Sequence, residues 1–220
     1  VGEKVKAGSV LMIDKNRPEI KFVSPVSGEV TAVNRGEKRK VLSIVVKPDA
    51  QIEYEEFGKK NVASLQGAEV KEVLLNAGMW PFIKQRPYDI VAAPLDTPRD
   101  IFVSAFYSAP LAPNFDFIVK GQEADFQTGL NALAKLTNGK VYVGVRSGSV
   151  VSGMKGVEIV EVEGPHPAAN VGVQINHIKP VNKGEVVWTV NPADVIVIGR
   201  LFNKGVADFS RMPTAQRAMA

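Results

Sequence analysis

A phosphate cradle, a histidine held in a rigid turn, several serines and a pair of adjacent carboxylates are the residues in this chain that could do chemistry. The glycine-rich stretch from Gly144 to Gly156 follows an apolar run, as a phosphate-binding loop would. Such a loop needs Gly, four residues, Gly, Lys and then Ser or Thr. Gly148 and Gly153 have that separation, but Met154 stands at the lysine position and Lys155 at the hydroxyl position. The three-glycine dinucleotide pattern started at Gly144 meets Arg146 and Ser149 instead of glycine. The stretch therefore reads as a strand connection. His166 lies between Pro165 and Pro167, whose fixed φ angles make a stiff turn able to present the imidazole to a ligand or partner. His177, beside Ile175 and Ile178, reads as packed or capping. Ser104, Ser108, Ser147, Ser149 and Ser152 lack a Gly-x-Ser-x-Gly elbow, and Glu55-Glu56 sits in a polar connector where solvation outweighs acid–base work.

The absence of cysteine excludes disulfides, thiolate-ligated zinc and iron–sulfur clusters held by this chain, and two histidines make a multi-histidine metal site implausible. No metal and no bound cofactor is expected. With 220 residues, 45% of them hydrophobic and 23% charged, the chain can bury a sizeable core. No apolar run approaches the roughly 20 residues that span a bilayer. The net charge of +4 is spread out, except for a cluster at Arg35, Lys38, Arg39 and Lys40 that reads as a solvated hairpin turn. No aromatic residues interleave with it, so nucleic acid is not an expected partner. The first residue is not Met and the chain starts in mid-pattern, which reads as a segment of a longer protein.

The elements that position these residues fall into two styles. Residues 1–50 contain short apolar runs separated by Gly2, Gly8, Gly28 and Gly36 and by Pro18, Pro25 and Pro48, the spacing of a small β barrel or sandwich. Residues 51–87 read as a connector followed by a helix, with Val70, Val73, Leu74 and Ala77 on one face and Gly78 as its left-handed stop. From 88 to 210 strands alternate with helices. Strands are predicted at 101–106, 141–145 and 157–162, and a helix over about 122–136. A last helix opens on Asn191-Pro192 and stops at Gly205. The alternation predicts a parallel, Rossmann-like sheet, and 211–220 reads as a tail. The fold class is α/β (α+β overall), with a β barrel leading a Rossmann-like domain.

Two sets of residues resemble known families. Val1-Gly2-Glu3-Lys4-Val5-Lys6-Ala7-Gly8 with Ser24-Pro25-Val26-Ser27-Gly28-Glu29-Val30 is similar to the lipoyl/biotinyl-like barrel-sandwich fold, whose carrier domains bear their cofactor on a hairpin-tip lysine. Lys15 is the superficial counterpart, but Asn16-Arg17-Pro18 departs from the carrier sequence. The second set comprises Glu69 to Phe82, Gln85-Arg86-Pro87, Pro98 to Ala105, Pro110-Leu111-Ala112-Pro113, Asp125 to Leu130 and Gly164-Pro165-His166-Pro167-Ala168. In that order it resembles the NqrA family, one of the components of the Na⁺-translocating NADH:quinone oxidoreductase, over nearly the whole chain. The resemblance implies a peripheral, cytoplasmic subunit held on the bacterial inner membrane by partner subunits. It implies a complex that uses NADH, flavins, an iron–sulfur centre and quinone, and a fold related to the flavoprotein subunit of complex I. It further implies that the chain itself is non-catalytic and has a structural or docking role with a contribution to quinone binding. Met79-Trp80-Pro81-Phe82 fills the counterpart of the flavin loop. Trp80, Phe82, Arg86 and His166 are the candidates for quinone or partner contact, from their aromatic and cationic character. Two alternatives are a flavin-dependent NADH dehydrogenase module and a carrier domain modified at Lys15.

Overall fold

The computed structural model describes residues 1–212. The expected tail lies outside the described residues apart from Arg211 and Met212.

The N-terminal part is built from short strands, as the glycine and proline spacing predicts. Strands β1 (Lys4–Val5), β4 (Gly28–Arg35) and β5 (Val41–Pro48) form one antiparallel sheet, and β2 (Val10–Ile13) pairs with β3 (Lys21–Val23) in a hairpin. Gly28, at φ +156°, has no room for a side chain, because a Cβ there would lie 2.0 Å from the Lys47 carbonyl oxygen.

Helix α1 (Gly67–Asn76) begins with a capping box in which the Gln66 N–H donates to Glu69 Oε2 at 2.7 Å. It buries Val70, Val73 and Leu74, and Gly78 takes the left-handed conformation after it. The main sheet follows, ordered β10-β9-β8-β11-β6-β7, with β6 at Ile83–Arg86, β7 at Ile90–Val91, β8 at Ile101–Ser104, β9 at Val141–Val145, β10 at Glu158–Glu161 and β11 at Val187–Val190. The connections carry α2 (Phe115–Val119), α3 (Glu123–Ala134) and α4 (Val171–Ile178), and α5 (Pro192–Lys204) follows the last strand.

The three predicted strands β8, β9 and β10 are parallel, as expected, and β11, which is not among the predicted strands, joins them in the same direction. β6 and β7 add an antiparallel pair, so the sheet is mixed. β6 comes from the stretch read as connector and helix. Its sequence, Ile-Lys-Gln-Arg, has little strand patterning, and its place is set by partnership with β11, where Ile83 faces Val190 and Arg86 faces Val187.

Side chains alternate across the sheet. Ile101, Val103, Val141, Val143, Trp188 and Val190 join the main core with α1, α3 and α5. Phe102, Tyr142 and Val187 point the other way, where α4 covers them through Ile175. The main core extends into the β barrel, since Ile20 is fully buried in it and Phe22 packs against it.

Helices α3 and α5 cross in backbone contact. A Cβ at Gly199 would lie 1.7 Å from the Asp125 carbonyl oxygen, and one at Gly129 would lie 2.1 Å from that of Val195. Only glycine permits so close an approach. Arg200, buried on the same helix, donates to Gln122 Oε1 at 2.5 Å and to the carbonyls of Asp208 and Ser210 at 3.0 and 2.9 Å. It thereby straps residues 206–212 onto the domain.

Candidate functional site

The chain runs from β8 through α2 and α3 to β9 and then β10, all to one side, and returns through α4 to β11 on the other side of β8. The direction of winding therefore reverses between β8 and β11. In open α/β sheets ligands bind at such a switch point, beyond the carboxyl ends of the strands. A cleft of about 500 Å³ opens there, lined by Ser104, Phe106 and Tyr107 after β8 and by Thr189, Asn191 and Pro192 from β11 and α5.

Its floor is the part of the sheet that α4 leaves uncovered. Lys84 lies opposite Thr189 and Arg86 opposite Val187, so both cations share the α4 face of the sheet and line the cleft. The Lys84 side chain makes no hydrogen bond or salt bridge among the described residues, although its charge is felt at the Asp194 carboxyl. Among the described residues Arg86 is paired only with Asp89, at 3.4 Å, and its Nε is buried without an acceptor. A buried donor left unmade is costly, so a ligand oxygen reaching the Arg86 Nε would relieve a deficit already present.

The walls are aromatic. Phe82 packs edge-on against Phe209, with ring centroids 6.1 Å apart, and the Arg211 guanidinium sits 5.8 Å from the Phe82 ring centre. Arg211 also pairs with Asp194, in the first turn of α5. Burial holds the Asp194 carboxyl above the usual range, against the opposing pull of Arg211. The Tyr107 hydroxyl is raised, first by burial, and lies 3.5 Å from Asn191 Oδ1. Ser104 is spoken for: it accepts from Gln174 Nε2 at 2.9 Å and donates to the Ala169 carbonyl at 2.8 Å. This latch fixes the rim beside α4, and it explains Gly144, where a Cβ would collide with Gln174 Oε1 at 2.2 Å.

Of the four candidates taken from the sequence, Phe82 and Arg86 meet in this cleft. Trp80 does not reach it. That indole is fully buried, donates to the Ala92 carbonyl at 2.8 Å and stands edge-on to Trp188 at 5.4 Å. His166 lies elsewhere, exposed beside a groove that also contains His177, Glu161 and Glu163, with its Nδ1 3.2 Å from Ser108 Oγ. Among the described residues no three His, Asp or Glu side chains are placed to hold a metal. Lys84, Thr189 and Tyr107 carried no sequence signal, since a lysine in an unpatterned segment gives no hint of the face it will occupy.

The glycine-rich connection is an ordered turn with a short 3₁₀ helix at Val150–Gly153. The donors a phosphate would use are engaged by an internal carboxylate, for Ser149 Oγ and the Val150 N–H both donate to Asp116 Oδ1, at 2.6 and 3.2 Å. At the barrel, Lys15 is exposed at the β2–β3 tip, but that tip is tied down: Arg17 Nη1 donates to the Val91 carbonyl at 3.3 Å.

Residues 65–207 match the family described as the NqrA second alpha/beta domain, and residues 1–49 match the NqrA N-terminal barrel-sandwich hybrid domain. The chain belongs to the NqrA family. Relatives named as the corresponding subunit of the Na(+)-translocating NADH-quinone reductase include proteins from Hahella chejuensis, 39% identical over 217 residues, and Neisseria meningitidis, 38% over 215, each alignment covering 96% of this chain. One from Yersinia pseudotuberculosis is 38% identical over 93% of the chain. The aligned region is 46–48% of these relatives, so this NqrA chain spans about half their length. The barrel-sandwich and α/β architecture expected from the sequence agrees with both family matches. No described helix is long and apolar enough to cross a membrane.

Proposed function

We infer that this chain works as a peripheral part of the sodium-pumping NADH:quinone reductase, on the cytoplasmic side of the membrane. It docks on partner subunits and receives a quinone ring in the switch-point cleft. The observation that carries this reading is the convergence of Phe82 and Lys84 with Arg86, whose Nε is buried without an acceptor, in one aromatic-walled cleft. A quinone is a flat apolar ring with carbonyl acceptors, and Phe82, Phe106 and Tyr107 offer surfaces for the ring while Lys84 and Arg86 offer hydrogen bonds for its oxygens. His166, on its exposed rigid turn, suits contact with a partner subunit.

The flavin-dependent alternative has less support. Met79 and Trp80 are fully buried, and Gly78, the glycine that would allow a phosphate close, turns its bare side to the barrel, where a Cβ would lie 2.4 Å from Val23. The carrier alternative needs a swinging hairpin, whereas the Lys15 hairpin is bonded to the α/β part through Arg17.

Titration of the folded chain with a short-chain ubiquinone analogue, followed by calorimetry, tests the reading. Saturable binding is expected, weakened about tenfold or more by Arg86→Gln or Lys84→Gln, the scale of a lost hydrogen bond to a charged group. Absence of saturable binding, or binding indifferent to both substitutions, would sink the proposal.

A further inference from the structure

The longest strands of the barrel run on beyond it. β4 is held at Val5–Gly28 and Lys4–Glu29, and then at Val30, which exchanges backbone hydrogen bonds with Gly2 and Glu3. Beyond Val30, among the described residues, β4 and β5 pair only with each other, and no residue from Thr31 to Pro48 is buried. A free two-stranded ribbon is marginal in water. One of its faces is apolar to the end, from Val30 and Val46 through Val33 and Ile44 to Leu42, and exposure climbs from 6% at Val30 to 64% at Leu42.

The tip is cationic. Arg35, Lys38, Arg39 and Lys40 are all exposed there, accompanied by a single carboxylate, Glu37, and no ion pair among the described residues engages any of the four. Lys38 and Arg39 also hold φ angles of +51° and +60°, a region that hairpin turns normally fill with Gly, Asn or Asp. The turn thus keeps two long cations where a strain-free residue would serve the fold better.

We propose that this arm rests its tip on an anionic phospholipid surface, with the four cations among headgroup phosphates and Leu42 in the interfacial layer. A ribbon tip is too narrow for the roughly 800 Å² per partner of a stable protein interface. A lipid surface asks for no matching shape and responds to a few cations beside an apolar side chain. The arm lies apart from the cleft, and the proposal does not depend on quinone binding.

Flotation of the chain with phosphatidylcholine–phosphatidylglycerol vesicles and with pure phosphatidylcholine vesicles, at low and high salt, tests it. Binding is expected to the anionic vesicles alone and to fall with salt. Each neutralised cation should lower partitioning about fivefold, so Lys38→Gln with Arg39→Gln should lower it about 25-fold. Leu42→Ser should weaken it as well, while Lys135→Gln with Lys155→Gln, remote exposed lysines, should leave more of it intact. Circular dichroism verifies that each variant is folded. Failure to float with anionic vesicles, equal flotation with neutral ones, or binding that survives neutralisation of the tip overturns the proposal. Capture of the tip by polyglutamate without any vesicle binding also overturns it, and would assign the arm to an acidic protein.

Discussion

Replacing Gly199 by alanine measures how closely α3 and α5 must approach, and with them how firmly the cleft is founded. The added Cβ would fall 1.7 Å from the Asp125 carbonyl oxygen, 2.6 Å from its carbon and 2.7 Å from the Gly129 nitrogen. Every one of these is backbone, so no side chain can swing aside. Restoring ordinary contact requires the helices to part by about 1.5 Å, and a gap of about 0.5–1 Å already forfeits a quarter to a half of each dispersion contact across it. Overpacking of this kind costs about 1–3 kcal/mol, occasionally more. Alanine returns about 1 kcal/mol through its helix propensity. The close approach at the upper end of the overpacking range leaves a net loss of about 2 kcal/mol, which for a chain of this size lowers the melting temperature by roughly 4–8 °C. Thermal unfolding followed by circular dichroism reads it directly. Gly153→Ala is the control, since nothing lies within 4 Å of a Cβ there, and it should stay within about 0.5 kcal/mol. A Gly199→Ala protein as stable as the parent, or more so, would refute the packing argument and leave only the propensity gain. Because α5 starts at the cleft with Pro192 and Asn191, the same variant should also weaken quinone binding.

Other substitutions probe the charges and the aromatic residues. Asp100 is buried, and although burial raises its carboxyl, hydrogen bonds from Lys179, the Lys140 N–H and Arg99 outweigh it and hold the group below the usual carboxylate range. Its stabilisation is therefore complete above the unfolded-state value and fades as pH falls through the folded one. Asp100→Asn should cost about 1–3 kcal/mol at neutral pH, and the gap in urea midpoint between variant and parent should close in acid; a gap independent of pH would contradict the assignment. Arg200→Met should lose about 1–3 kcal/mol, because it removes the donor from Gln122 and from the Asp208 and Ser210 carbonyls and the cation that lies 3.2 Å from Asp208 and 3.8 Å from Asp125; a loss below about 0.5 kcal/mol in urea unfolding would mean water already serves these groups. Phe82→Ala should weaken the quinone analogue while Trp80→Phe leaves its affinity unchanged, and the reverse pattern in calorimetry would place the ligand on the other side of the sheet.

Local signals carried the helices that are amphipathic and capped. α1 was legible from Val70, Val73 and Leu74 with Gly78 as its stop, α3 from Phe126, Leu130 and Leu133, and α5 from Asn191-Pro192 and Gly205. β9 was legible because Val141, Val143 and Val145 lie in an unbroken apolar run. What depends on distant partners was not. β6 has a single core residue, Ile83, and becomes a strand only because β11 pairs with it. Arg200 reads as an ordinary helix-surface cation until residues 206–212 fold back over it. For the cleft, aromatic and cationic character singled out Phe82 and Arg86, but the same criterion chose Trp80, whose N–H had a carbonyl waiting for it at Ala92. Residue type alone cannot say which way a ring faces.

The two matched regions meet through Ile20, which is fully buried in the same hydrophobic core as α1 and the main sheet. From the adjoining strand β3, Lys21 Nζ reaches Asn76 Oδ1 at 2.8 Å, and Val23 covers the bare face of Gly78. Two units that share buried residues unfold together, so the chain should show one cooperative transition rather than two. Cutting at the junction of the matched regions would leave each half with an exposed apolar scar. Domain shuffling would have to carry the β2–β3 hairpin along with α1 to preserve either partner. The boundary drawn by homology therefore should not be the boundary along which this protein comes apart.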